Sequence, residues 1–336
     1  MNRAWKTFVI AVLCAAGCEA ARGQVAPATI LRFDIDNQTR YIYDTSDLAA
    51  YATVPTPVSQ VLPTFAKWVT AADIVAVNGK PVKGIYFTHQ IALNLATART
   101  PGQGIADGVR NNIVDRTLEI FQTDGTPIGS IMMSGLDGGS APPGSPSVLR
   151  GGNAAITGGT GAFLGARGQF GLGPPIPGAT GPRNASVRED PANRRINGGG
   201  KNTFILYLIP MSWPQIVVTA SGPAVIHASD FTPVTAAKPA KAGEILTLFA
   251  TGLGPTRPGV DPGQPFTTSP VQIVNSPVDV TVNGAPAQVL YAGGYPGAVD
   301  GYQVNFQLPS GITPGSVSLQ LTTAFIAGPE VKIPVQ

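Results

Sequence analysis

The stretch Ile156–Gly171, ITGGTGAFLGARGQFG, has two readings, and the choice between them decides the fold. Its glycines can cradle the phosphates of a nucleotide, or they can let a β-strand turn a crowded corner. A phosphate loop needs glycines at fixed spacing, after a strand, opening a helix whose N-terminus meets the phosphates. Here Ala162, Phe163 and Leu164 separate Gly161 from Gly165, and the following ARGQFGLGPPIPG holds too many glycines and prolines to be a helix. No alternation of strand and helix surrounds it. The stretch therefore reads as a corner, with Asn153–Thr157 a strand and Gly158–Gly161 a tight turn. Residues 162–172 then form a second strand, bent at Gly165 and Gly168.

Working outward, strand signals dominate. TILRFDID (29–36), TRYIYD (39–44), RTLEIFQ (116–122), PIGSIMM (127–133) and TFILYLIPM (203–211) are β-branched and aromatic runs. Asn78-Gly79 and Asn283-Gly284 each sit between apolar segments, the strongest short hairpin cue, because both residues tolerate positive φ. Asp124-Gly125 marks a third turn. Only PVSQVLPTFAKWVTAAD (57–73) hints at a helix, and Pro63 interrupts it. Composition agrees: 41 Gly and 32 Pro among 336 residues, with only 12% charged, describe short strands joined by turns. The net charge of +3 is too small for this length to indicate nucleic acid or an anionic membrane.

The N-terminus carries Arg3 and Lys6, then the apolar run TFVIAVLCAAG, then small residues, which is the pattern of a secretory signal over residues 1–23. The apolar run is too short for a membrane-spanning helix, so the mature chain is expected to have no transmembrane segment. Cleavage is expected after Ala21-Arg22-Gly23, with Ala15-Ala16-Gly17-Cys18 as a competing lipoprotein-type site that would leave a lipid anchor on Cys18. Cys14 and Cys18 are the chain's two cysteines, so the mature protein is expected to rely on packing rather than disulfides. The rest divides into an extended segment (24–59), a β-rich unit (60–212) and a second β-rich unit (213–336).

AAITGGTGAFLGARGQF (154–170) resembles a signature of the allene oxide cyclase and dirigent-protein barrels, and the strand order around it is similar to theirs. The resemblance implies an all-β chain that starts with an eight-stranded antiparallel calycin-like barrel whose lumen holds one small ligand. Residues 242–260, 280–297 and 301–321 resemble the C-terminal domain of many exported Solibacter and other acidobacterial proteins. That resemblance implies an immunoglobulin-like β-sandwich, a surface or accessory module with no chemistry of its own.

Candidate site residues follow from strand parity. In GIYFTHQIALNL, Ile85, Phe87, His89, Ile91 and Leu93 share a face, so His89 is a candidate lumenal base or a core histidine. Glu119 is a candidate lumenal acid, partnered by His89 or Arg116, or else a solvent-facing residue. Asp137 and Arg150 flank a loop and are candidates for the barrel mouth, or equally solvated loop charges. Gly158, Gly159, Thr160, Gly161 and Arg167 form the expected turn motif, Arg167 capping backbone carbonyls or meeting a carboxylate, or else binding ligand. The basic run Arg183, Arg188, Arg194, Arg195 and Lys201 reads as a solvated loop or an anion-attracting patch.

Only His89 and His227 are present, so no zinc or other metal site is expected, and no cofactor. No Gly-x-Ser-x-Gly elbow occurs. The expected function is binding of a small, largely apolar molecule by an exported protein, with surface proteins or polysaccharide as further partners and no nucleic acid. The alternatives are a cofactor-free isomerase or cyclase, and a structural envelope or matrix protein with a filled barrel.

Overall fold

A computed structural model describes residues 29–43, 65–93, 112–137 and 152–336. The described residues are all-β, with one short 3-10 turn at Pro191–Arg194. No helix among them is long and apolar enough to cross a membrane. The chain divides at Met211/Ser212 into two compact units.

The first unit is a closed barrel of eight antiparallel strands. In chain order these are β1 (Thr29–Tyr43), β2 (Phe65–Val77), β3 (Lys83–Leu93), β4 (Asn112–Phe121), β5 (Pro127–Asp137), β6 (Gly152–Gly161), β7 (Arg167–Leu172) and β8 (Gly200–Ile209). Each pairs with the next, and β8 returns to β1 with Phe33 opposite Phe204, so no principal strand is left as a free edge. The β2–β3 hairpin turns at Asn78 (φ 50°) and Gly79 (φ 77°), as the dipeptide requires.

Three expectations are corrected. The barrel does not begin near residue 60: Thr29–Tyr43, set apart as an extended segment, pairs with both β2 and β8 and closes the sheet. The helix hint fails over its described part, because Phe65–Asp73 belongs to β2, where Trp68 and Ile74 are buried by cross-strand partners. The corner also moves. Gly158–Gly161 lie within β6, and the chain turns at Ala162–Ala166, where Phe163 is buried. The reason is steric: a Cβ on Gly159 would stand 2.3 Å from Phe163 O and 2.8 Å from Ser130 O. The glycine admits the packed turn rather than making the bend.

Inward-facing residues are identified by contacts that cross the lumen. The rings of Tyr86 on β3 and Phe204 on β8 lie 4.6 Å apart, and the Arg116 guanidinium on β4 lies 4.5 Å from the Phe170 ring on β7. Neither pair of strands is adjacent. Leu31, Phe33, Leu118, Ile131, Phe170, Phe204, Leu206 and Leu208 are fully buried and pack the interior. Each such side chain contributes roughly 1.5–3 kcal/mol by leaving water.

The second unit is a curled antiparallel sheet. Its main strands are β9 (Val225–His227), β10 (Ile245–Thr251), β11 (Val278–Val282), β12 (Ala285–Gly294), β13 (Gly301–Gln307), β14 (Gly315–Thr323) and β15 (Val331–Val335). They run β9-β10-β13-β12-β11-β14-β15 across the sheet. The curl centres on β12, which pairs β11 through Ala285–Ala287 and β13 through Gln288–Gly294, with a register break between Val289 and Tyr291. Leu246, Leu248, Val304, Phe306, Leu319 and Leu321 form its core.

Candidate functional site

The β4 strand alternates cleanly. Val114, Arg116, Leu118 and Ile120 are buried, while Ile113, Asp115 and Glu119 are exposed. Register carries this parity to β3, because Gln90 faces Val114, Thr88 faces Arg116 and Tyr86 faces Leu118. Tyr86, Thr88 and Gln90 therefore turn inward. On the other side of β3, Thr88 faces Thr70 and Gln90 faces Trp68, and on β1 Arg40 and Ile42 face Thr70 and Trp68. One part of the lumen is thus polar and aromatic, against the Leu and Phe packing elsewhere.

Arg116 is the centre of that polar part. It is 4% exposed, donates from Nε to Tyr86 Oη at 3.1 Å, and lies over the Phe170 ring. Arg40 stacks on Trp68, with 4.9 Å between guanidinium carbon and ring centroid. Trp68 Nε1 and Thr88 Oγ1 are buried and have no hydrogen-bond partner among the described residues. Each such group costs about 1–3 kcal/mol when left unmatched. A ligand oxygen is an acceptor that would match the indole N–H and the hydroxyl.

The other expected site residues do not converge here. His89, expected inward with Ile85, Phe87 and Ile91, is on the outer face, where Phe87 is 45% and Ile91 37% exposed. Its register partner Asp115 is exposed too. The apolar face of β3 looks outward because β4 dictates register, and the hydrophobicity of a single strand does not override its neighbour's parity. Glu119 is likewise outward, opposite Ile85 and Ser130, and its odd offset from Arg116 puts the two on opposite faces. The expected Glu119–Arg116 and Glu119–His89 lumenal pairs are therefore absent. Asp137 ends β5 opposite Asn112 and Gly152, and Arg150 lies outside the described residues. Arg167 Nη1 donates to Thr157 O at 2.8 Å and Ala166 O at 2.9 Å, fastening the corner. Ser130 and Thr160 hydroxyls bond at 2.6 Å across β5 and β6.

The basic run is not a loose loop. Arg183 forms a two-point ion pair with Glu189, with Nη1 to Oε2 at 2.9 Å. Arg194 and Arg195 both hold Asp73 on the outer face of β2, Arg195 through Nε at 2.8 Å and Nη2 at 2.7 Å. The short strand Arg183–Ser186 pairs in parallel with Thr39–Ile42 of β1. Burial pushes the Asp73 carboxyl up, but hydrogen bonds from Arg195, Asn37 and Arg194 outweigh it and hold it below its ordinary value. Hydrogen bonds from Arg183 depress Glu189 in the same sense, against burial and with help from Asn197. In the second unit, His227 is buried between Glu244 Oε1 (2.6 Å) and Lys238 O (3.3 Å), tying β9 to the segment before β10. No three metal-ligating side chains gather among the described residues.

No protein-family model, curated protein or solved structure matches the chain.

Arg116 was expected only as a partner of a lumenal Glu119, whereas it is buried on the face opposite Glu119. Trp68, Thr88, Tyr86 and Arg40 were missed. The signal that finds them is the alternation of β4: two carboxylates, Asp115 and Glu119, mark the outer face, and the β3–β4 register then selects the even residues of β3.

Proposed function

We propose that this is an exported protein whose barrel binds a small, largely apolar molecule bearing at least one hydrogen-bond acceptor. The observation that carries the reading is the unmatched pair of buried donors, Trp68 Nε1 and Thr88 Oγ1, beside the buried Arg116 guanidinium. Apolar and aromatic walls with a few polar anchors are the usual makeup of a small-molecule site. The aromatic surroundings of Arg116 suit a flat or unsaturated ligand, because Phe170 and Phe204 pack at 5.1 Å against the same wall. The signal-like N-terminus and the similarity of 154–170 to the allene oxide cyclase and dirigent barrels support the same reading. The second unit is proposed as an immunoglobulin-like accessory module that holds the barrel at the cell surface, against surface proteins or polysaccharide.

A second reading, cofactor-free isomerisation or cyclisation, draws on Tyr86, a phenol held by the Arg116 guanidinium and so a proton donor placed in the lumen. Positioning of a flexible substrate in one reactive shape would do the rest.

Native mass spectrometry of the mature protein, purified from its own host, tests the proposal. A discrete added mass that disappears on denaturation is expected, reduced in Thr88→Val and Trp68→Phe. A bare mass in wild type, with both variants more stable than the parent, would instead mean that the barrel is filled and structural. Turnover lost in Tyr86→Phe with ligand mass retained would select the enzyme. The same spectra read the first residue, expected at Gln24, against a lipidated Cys18.

A further inference from the structure

The outer wall of the barrel carries a separate groove of about 440 Å³, on the opposite side of the sheet from the lumenal anchors. Val75, Ile85 and Phe121 line its apolar part, and Val75 is 42% exposed. Register places these residues together: Ile85 faces Asp73, and Lys83 faces Phe121. The cationic part comes from Lys83, Arg194 and Arg195. Asp73, which also lines the groove, accepts from both arginines, so one carboxylate opposes two guanidiniums. Arg195 gives Nε and Nη2 to Asp73, leaving Nη1 on a side chain that is 61% exposed. Lys83 is exposed and has no ion-pair partner among the described residues. Glu119, opposite Ile85 and exposed, limits the positive region on the β4 side.

We propose that this groove is a second binding site, for a small carboxylate whose apolar body lies on Val75, Ile85 and Phe121 and whose anionic head is held by Lys83 and Arg195. The charge pattern selects the occupant: three cations line the groove against the already engaged Asp73, with Glu119 only at its edge, so the lining favours an anion, and a planar guanidinium suits a carboxylate's two oxygens. A neutral apolar molecule of the same shape gains only the weaker half of the interaction. The fold holds the head site firmly, because Asp73 fixes Arg195 on the sheet surface and less side-chain freedom is lost on binding. The site is independent of the lumenal reading, since the residues that define it face outward and Arg116, Thr88 and Trp68 face inward.

The test compares phenylacetate with phenylacetamide on the full mature chain, by amide chemical-shift titration. Phenylacetate is expected to shift Val75, Lys83, Ile85 and Phe121 and to bind about tenfold more tightly than the amide, a difference of roughly 1.4 kcal/mol. The double variant Lys83→Gln/Arg195→Gln should remove that preference. It leaves Arg194 on Asp73, so the turn remains anchored. Affinity should also fall as salt is raised from low to physiological ionic strength, because these charges are exposed. Thr88→Val should leave groove binding unchanged even where it abolishes lumenal ligand. Equal shifts from acid and amide, a preference that survives the double variant, or shifts confined to the residues around Trp68, Thr88 and Arg116 would each overturn the proposal.

Discussion

At the scale of single residues, the glycines of the opening stretch divide by what a methyl group would meet. Gly159 would drive a Cβ into Phe163 O at 2.3 Å and Phe163 Cβ at 2.9 Å, both held by the packed corner. Gly158, next to it on β6, has nothing within 4 Å. Gly159→Ala is therefore expected to destabilise the barrel by about 2–3 kcal/mol, the range of overpacking in a filled site. Gly158→Ala should change it by less than about 0.5 kcal/mol, or stabilise it slightly by restricting the unfolded chain. Urea unfolding followed by Trp68 fluorescence measures both. Equal midpoints for the two variants would show that the corner yields to the methyl group. Adjacent glycines with such different surroundings look alike in a sequence. Spacing excluded a nucleotide loop, but which glycine is sterically required depends on Ser130 and Phe163, and only the β5–β6 register brings Ser130 to the corner.

At the scale of elements, strands were legible and faces were not always. Turn signals and apolar runs identified β3 and β4, but Glu119 was open to either face; with Asp115 it marks the wet side of β4. In β3 the odd residues Ile85, Phe87 and Ile91 are the more apolar set, yet they face out, and Tyr86, Thr88 and Gln90 face in. A strand buried by its neighbours takes their parity, and this information is absent from its own composition. The same limit hid β1, whose TILRFDID run looked like strand but whose place in the barrel rests on distant β8. The Arg183–Arg195 segment shows the reverse case, where charges that resembled a solvated loop are engaged, Arg183 by Glu189 nearby and Arg194 and Arg195 by a partner far along the chain. Asp73 is over a hundred residues from Arg194 and Arg195. This element carries a pH prediction. Asp73 and Glu189 have folded pKa values below their unfolded ones. Their contribution is thus present above the ordinary carboxylate range and disappears as pH falls through the depressed values, below about pH 4. Hydrogen exchange of residues 186–198, corrected for intrinsic rates, should accelerate between pH 6 and pH 3 ahead of β8. In Asp73→Asn the segment should already be open at pH 6. A segment equally protected across that range in wild type would mean that hydrogen bonds to β1, not the ion pairs, hold it.

At the scale of the whole molecule, each unit has a core sufficient for independent folding. Residues 212–336 form a unit of about 125 residues, within the usual size of an autonomous domain. Its interior is continuous from β10 through β13 to β14, with Leu246, Leu248, Val304, Phe306, Leu319 and Leu321 all fully or nearly fully buried. The barrel closes on itself by pairing β8 with β1, so its hydrogen bonds require no strand from the second unit. The fragment 212–336 is therefore expected to unfold cooperatively in urea by itself, with an m value of about 1–2 kcal/mol/M. Residues 24–336 hold two intrinsic reporters, Trp68 in the barrel and Trp213 in the second unit. Trp68→Phe leaves the second unit's reporter, and its fluorescence transition should be reproduced by the fragment with an unchanged slope. A lower slope in the fragment would show that its sheet is incomplete without the barrel, and that the second unit depends on the barrel for its fold. A matching slope makes the second unit a separable module, as the surface-holding role proposed for it requires.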